Sequence, residues 1–279
     1  MKYSILEDPR YRYLSEPKSP LLKFFSFLFD LYANTVLTFY APVTVTGREN
    51  IPKDTPFIFC SNHNSHMDIA VLVYATRLGY ERFGFLAAKD YWFDNNFRRR
   101  FFKNFITLIP IERKNKPESL DLEDTFLLSK AFVNRNNNII MFPEGSRGKP
   151  GVMQRFRKGA MKFSTELNIP IVPAVILGAE KAWPRGERFM QSVPINLHVL
   201  PPMYPEDLSE ANKTEYNKYI ASQTKALETI ISENYSLLSR SNGDNSSTEW
   251  CTILSKRTCC WAWYNISIKI KYRIMRRTK

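Results

Sequence analysis

Beyond Pro42 the chain alternates short apolar runs with longer stretches whose apolar residues recur every three or four positions. Residues 43–46, 57–60, 83–88, 107–111, 139–142, 171–177 and 195–200 are the short runs, and they predict strands. Residues 67–77, 94–104, 118–134 and 158–167 carry the helical period, and 210–234 predicts a further long helix. Alternation of this kind predicts an α/β fold, with one domain over residues 42–238 built on a largely parallel sheet flanked by helices. No segment repeats internally. The polar run at 239–249, rich in Ser and Asn, reads as a linker, and 250–279 as a separate tail.

Ahead of that domain, residues 1–20 mix charges and contain three prolines, an irregular lead-in. Residues 21–41 are mostly Leu, Phe, Tyr and Val; as a helix they would be about 31 Å long, enough to cross a bilayer core. Lys23, Ser26, Asp30, Asn34 and Thr38 fall three or four apart, which gathers the polar residues on one stripe. That stripe predicts an amphipathic helix lying in a membrane interface or packed on the protein, rather than a lone span. A buried core helix is the alternative. A signal peptide does not fit, because the apolar stretch starts late, holds Asp30 and lacks a small-residue cleavage site.

Charge adds a partner class. The chain has 40 Lys and Arg against 27 Asp and Glu, a net +13, which points to an anionic partner. Eight basic residues and no acidic one lie in 250–279, so most of the excess is local. Trp250, Trp261, Trp263 and Tyr264 are rings suited to a headgroup boundary, and Ile266 to Ile274 alternate with polar residues. An anionic membrane surface fits this tail; a solvated, disordered tail is the alternative, with Cys259 and Cys260 as conceivable lipidation sites. The aromatics sit in apolar runs rather than among the lysines, and no nucleic-acid-binding signature accompanies the charge. Four cysteines without Cys-x-x-Cys spacing give no disulfide framework and no zinc site, which fits a reducing compartment facing the cytosol.

The chemistry concentrates in the octet Ser61 to Asp68, between a strand and a helix. An imidazole on such a turn can act as a general base near neutral pH, and a carboxylate one helical turn on can fix its tautomer, which nominates His63 and Asp68. A helix cap beside a stray histidine is the bland alternative. Arg113 ends the 107–111 strand region, and Phe142-Pro143-Glu144-Gly145-Ser146-Arg147 is again a strand, a glycine turn and an arginine. Ligands of parallel α/β sheets bind beyond the carboxyl ends of strands. Two forked cations near an imidazole would suit an anionic acceptor whose hydroxyl is to be deprotonated.

In order and spacing these blocks resemble those of the glycerolipid acyltransferase family, typified by lysophosphatidic acid acyltransferases. Asn62, His63 and Asp68 match Asn-His-x4-Asp. Ile109 to Arg113 is similar to the strand ending in Arg, without the glycine often found upstream. Phe142 to Arg147 resembles Phe-Pro-Glu-Gly-Thr-Arg with Ser146 in the threonine position, followed by a basic-Gly-Ala helix entry at Arg155 to Ala160. Pro173 corresponds to the end of a proline block.

The resemblance implies transfer of an acyl group from coenzyme A or an acyl carrier protein to the hydroxyl of a lysophospholipid, most simply lysophosphatidic acid, with no cofactor or metal. A thioester is already activated, so His63 need only take the acceptor's proton while Asp68 orients it. Arg113 and Arg147 form the implied phosphate clamp, with Asn62, Glu144, Gly145, Ser146 and Pro173 as substrate-binding positions and Lys89 as a weaker candidate for the same anion. A metal hydrolase using His63, His66 and Asp68 lacks further ligands at useful spacing. The non-enzymatic alternative is a basic membrane-surface binding protein. His198 reads as structural.

Overall fold

The computed structural model describes residues 5–88, 107–111, 121–148, 152–184, 187 and 189–241. The chain divides into two compact units, residues 1–232 and 233–279. Chain order is α1 (Arg12–Ser15), α2 (Pro20–Thr35), β1 (Val43–Thr46), β2 (Ile58–Ser61), α3 (Asp68–Thr76), β3 (Phe83–Ala88) and β4 (Thr107–Ile111). Then follow α4 (Leu122–Val133), β5 (Asn138–Met141), α5 (Gly159–Leu167), β6 (Ile171–Leu177), α6 (Ala179–Ala182), β7 (Ile195–Val199) and α7 (Lys213–Ser241). Residues 239–241 are therefore helix, not the start of a linker. The expected helix 94–104, the rest of the linker and the basic tail lie outside the described residues.

All seven expected strands form, in one sheet of order β1-β7-β6-β2-β5-β3-β4. Every neighbouring pair is parallel except β6 with β7. The middle of the sheet is buried on both faces, as parallel sheets are. Phe57 and Phe59, together with Val172, Ala174 and Ile176, share one core with Val71, Leu72 and Ala75 of α3. The other face carries α5 against β2 and β6, and α4 against β4. Phe57, Phe59, Phe83, Phe132 and Phe163 are fully enclosed, each contributing about 1.5–3 kcal/mol relative to an exposed ring.

Because β2, β5 and β4 run in the same direction, their carboxyl ends lie on one edge. β2 and β5 are neighbours, so the turns that follow them meet directly. β4 stands two spacings beyond β5, about 10 Å at 4.8 Å per strand.

Helix α2 starts at the Ser19 cap, whose Oγ accepts Leu22 N–H at 3.4 Å, with Pro20 in the first helical position. It continues through a wider π-type turn, Val36–Tyr40. Part of its polar stripe faces the domain. Ser26 is buried and accepts from Lys18 Nζ at 3.4 Å, Asp30 Oδ1 accepts Tyr80 N–H at 2.9 Å, and Thr38 Oγ1 lies 3.3 Å from Tyr74 OH. Gly79 makes the close approach possible, since a Cβ there would stand 2.5 Å from Asp30 Oδ2. Phe29, Ala33 and Leu37 pack against the core beside these contacts, while Leu21, Phe24, Phe27, Leu31, Tyr32 and Phe39 point away and are between 55% and 81% exposed.

Candidate active site

β2 ends where its last backbone pairs give way to a side chain. Asn62 Nδ2 donates to Ile176 O and Asn62 Oδ1 accepts Ile176 N–H, both at 2.9 Å, so its amide extends the pairing of β2 with β6 by one step. Asn62 is buried. Pro173 is likewise buried inside the sheet, in register with Cys60 of β2.

The chain then turns, and Asp68 opens α3. Its Oδ2 accepts three donors: His63 Nδ1 at 2.8 Å, Asn64 N–H at 2.8 Å and Ser65 N–H at 2.9 Å. A carboxylate only accepts, so Nδ1 carries the proton, and in the neutral imidazole Nε2 is the nitrogen with the lone pair. The Asp68 side chain is 1% exposed and that of His63 18%, so the imidazole is within reach of a substrate and the carboxylate is not. The ring stacks on Phe142, centroids 3.8 Å apart and planes 11° off parallel.

The turn after β5 closes on the same histidine. Glu144 is buried, and its Oε1 accepts His63 N–H at 2.9 Å while Oε2 accepts Gln154 N–H at 2.9 Å. Burial pushes the Glu144 carboxyl above the ordinary carboxylate range, with the two backbone N–H groups pulling the other way. Gly148 N–H donates to His63 O at 2.9 Å, so both backbone groups of His63 are held by this turn. Gly145 has φ +76°, a left-handed conformation, and a Cβ on it would meet Arg157 Nε at 2.9 Å, so the position needs glycine. Ser146 is exposed, its Oγ 3.5 Å from Gln154 Oε1.

Arg147 reaches His66 in the first turn, its Nη1 lying 2.7 Å from Nδ1 and 2.5 Å from Nε2. The structure thus brings together His63, Asp68, Glu144, Gly145 and Arg147, and it adds Phe142 and His66, which sequence reasoning did not assign to the site. Lys89 and Arg113 lie outside the described residues. Burial pushes the Cys60 thiol far above its ordinary range, which removes it as a nucleophile. Ser65 Oγ donates to Trp183 O at 2.9 Å and also accepts Met67 N–H, a structural use. Among the described residues no group of His, Cys, Asp and Glu side chains could hold a metal ion.

Residues 42–177 match the model of the family described as Acyltransferase. A protein of Limnanthes douglasii named 1-acyl-sn-glycerol-3-phosphate acyltransferase is 27% identical over 182 residues, 64% of this chain and 60% of its own length. One of Borreliella burgdorferi with the same name is 25% identical over 193 residues, covering 67% and 72%. The chain spans about 60% of the length of the plant relatives it matches. The crystal structure of a 1-acyl-sn-glycerophosphate acyltransferase from Thermotoga maritima shares the fold, with a TM-score of 0.52 at 22% identity over 75% of this chain and 80% of that one. The family match takes in β2, β5 and the two turns that hold His63, so it is in residues 42–177 that the chain is similar to the acyltransferase family.

Proposed function

We propose that this protein transfers a fatty acyl group from an acyl thioester, acyl-coenzyme A or acyl carrier protein, to the free hydroxyl of lysophosphatidic acid, giving phosphatidic acid. The observation that carries this reading is the hydrogen bond from His63 Nδ1 to the buried Asp68, which leaves Nε2 as the base. The relatives' shared name supports the choice of acceptor.

In the reaction the acceptor oxygen attacks the thioester carbonyl while its proton passes to His63 Nε2. The tetrahedral intermediate collapses with loss of the C–S bond, and the thiolate leaves with the proton returned by the imidazolium. Asp68 stabilises that imidazolium and fixes its tautomer. Glu144 acts on the backbone of His63 rather than on substrate. Arg147 is the cation for the acceptor phosphate, and Arg113, two residues after β4 in the sequence, is its second member.

The reaction takes place at a membrane surface, facing the cytosol. Residues 20–40 form a stretch long and apolar enough to cross a bilayer, yet the inward polar stripe suits a helix lying along the interface. Its apolar face continues past Phe39 to Tyr40, whose OH donates to Met190 O at 3.0 Å, and Phe189 beside it is 79% exposed. The same 183–193 stretch supplies Trp183, which contacts Ser65 and His66.

The test is an assay of purified full-length protein in lipid vesicles with acyl-coenzyme A against lysophosphatidic acid and lysolipids with other headgroups. Phosphatidic acid should be the main product. Acylation of another headgroup in preference would overturn the acceptor assignment, and absence of transfer to any lysolipid would overturn the reaction.

A further inference from the structure

The turn after β2 holds two histidines, and the reaction above uses only one. His66 is exposed, its ring 5.5 Å from that of Trp183, and Arg147 Nη1 lies 2.7 Å from its Nδ1 and 2.5 Å from its Nε2, within reach to donate to one of them. Arginine stays protonated and has donors only, so a contact this close requires a lone pair on the imidazole. One ring nitrogen of a neutral histidine supplies it, and either tautomer can do so. Arg147 is then held at both ends by the same turn: its side chain by His66, and its backbone through the neighbouring Gly148 N–H on His63 O.

The chemistry of the partner matters here. A carboxylate at position 66 would orient the guanidinium and also cancel its charge. A neutral imidazole orients it and leaves the charge intact for an anion. Arginine carries a large rotamer entropy, and fixing the side chain beforehand removes part of that cost from ligand binding. Trp183 backs the imidazole and is itself anchored, its Nε1 donating to Glu187 O at 3.0 Å.

We propose that His66 is a positioning residue, which holds Arg147 beside His63 so that its remaining N–H groups meet the phosphomonoester of the acceptor. The inference rests on the acceptor reading given above.

The experiment is a kinetic comparison in vesicles, varying lysophosphatidic acid at saturating acyl-coenzyme A and then the reverse. His66→Phe should raise the acceptor KM about tenfold, the scale of one hydrogen bond to a charged group, with kcat and the donor KM little changed. His66→Gln, which keeps a neutral acceptor, should recover most of that loss. His66→Asp should not, because it neutralises the cation. His66→Phe combined with Arg147→Ala should be no worse than Arg147→Ala alone. An unchanged acceptor KM in His66→Phe, or an effect that multiplies fully with that of Arg147→Ala, would overturn the inference. Wild-type protein inactive on lysophosphatidic acid would overturn the acceptor assignment and this inference with it; an active wild type with an indifferent His66→Phe overturns this inference alone.

Discussion

The Glu144 carboxylate bridges two backbone N–H groups, that of His63 through one oxygen and that of Gln154 through the other, each at 2.9 Å. It thereby joins the two turns of the site from below, out of reach of solvent. Hydrogen bonds to a charged group are worth about 1.5–3 kcal/mol, and their loss here strands two donors. Glu144→Ala should therefore lower unfolding free energy by about 2 kcal/mol or more and cut kcat, while Glu144→Gln, which keeps one acceptor, should lose less of both. Chemical denaturation alongside steady-state kinetics separates the two effects. A Glu144→Ala protein of native stability would show that the bridge is not a brace.

His63→Ala removes the proposed base but no core contact, since the ring rests against Phe142 at the surface of the site. Turnover should fall by on the order of a hundredfold or more with the fold retained. Asp68→Asn should cost somewhat less turnover and also some stability, because Oδ2 closes the turn through Asn64 and Ser65. Circular dichroism and acyl-transfer rates on the same preparations check both. Near-native transfer by a folded His63→Ala protein would remove His63 from the role of base.

His198 stands on β7 with Nδ1 2.7 Å from Thr46 Oγ1, and burial pulls its pKa below the ordinary 6.5, with Glu49 opposing weakly. The unfolded chain thus binds a proton at a pH where the native one does not. The stability this gives is fully present above about 6.5 and is lost as pH falls through the lowered native value. Thermal unfolding of wild type from pH 7.5 to 5 should show that decline, and His198→Gln should flatten it. Parallel curves for the two proteins would assign the acid sensitivity elsewhere.

The two proposed membrane attachments would obey different physics. The outward face of α2 would bind through apolar area, about 1.5–3 kcal/mol for each large side chain taken into lipid, so replacing Phe24, Phe27 and Leu31 together with Ser should strongly reduce vesicle co-sedimentation at every salt concentration. The eight cations of 250–279 contribute about 1 kcal/mol each near an anionic leaflet, screened over roughly 8 Å at physiological ionic strength. Removing that segment should leave binding in place and make it less dependent on salt and anionic lipid. Unchanged sedimentation of the triple variant would rule out α2 as the attachment.

Four of the seven strands begin and end where the apolar runs do. The run at 195–200 ends one residue early, at Val199, and the other two shift by one residue for a common reason: a polar side chain takes part in the sheet. Ser61 extends β2 in register with Ala174, and Asn138 opens β5 while its Oδ1 accepts Phe57 N–H at 3.2 Å. Reading apolar runs stops short at such residues. The motifs located His63, Asp68 and Arg147, but not what Asn62 and Glu144 do, since their partners stand 114 and 81 residues away. Period alone also gave α2 two opposed faces without saying which meets the domain; Tyr74 and Tyr80, on other elements, decide that. Ser239, polar and thus taken for linker, donates its Oγ to Tyr235 O at 2.7 Å and remains helical.

Asn62 also makes correct folding and competence for catalysis inseparable. Its amide fits the backbone of Ile176 at one alignment of β2 against β6. A slip of one residue would break that fit, turn Phe57 and Phe59 to the opposite face, and carry His63 away from Glu144 and Gly148 together. A misaligned molecule is thus both unstable and inert, so proofreading of the sheet is at the same time quality control of the reaction. Selection on activity alone would keep the alignment of β2 under surveillance.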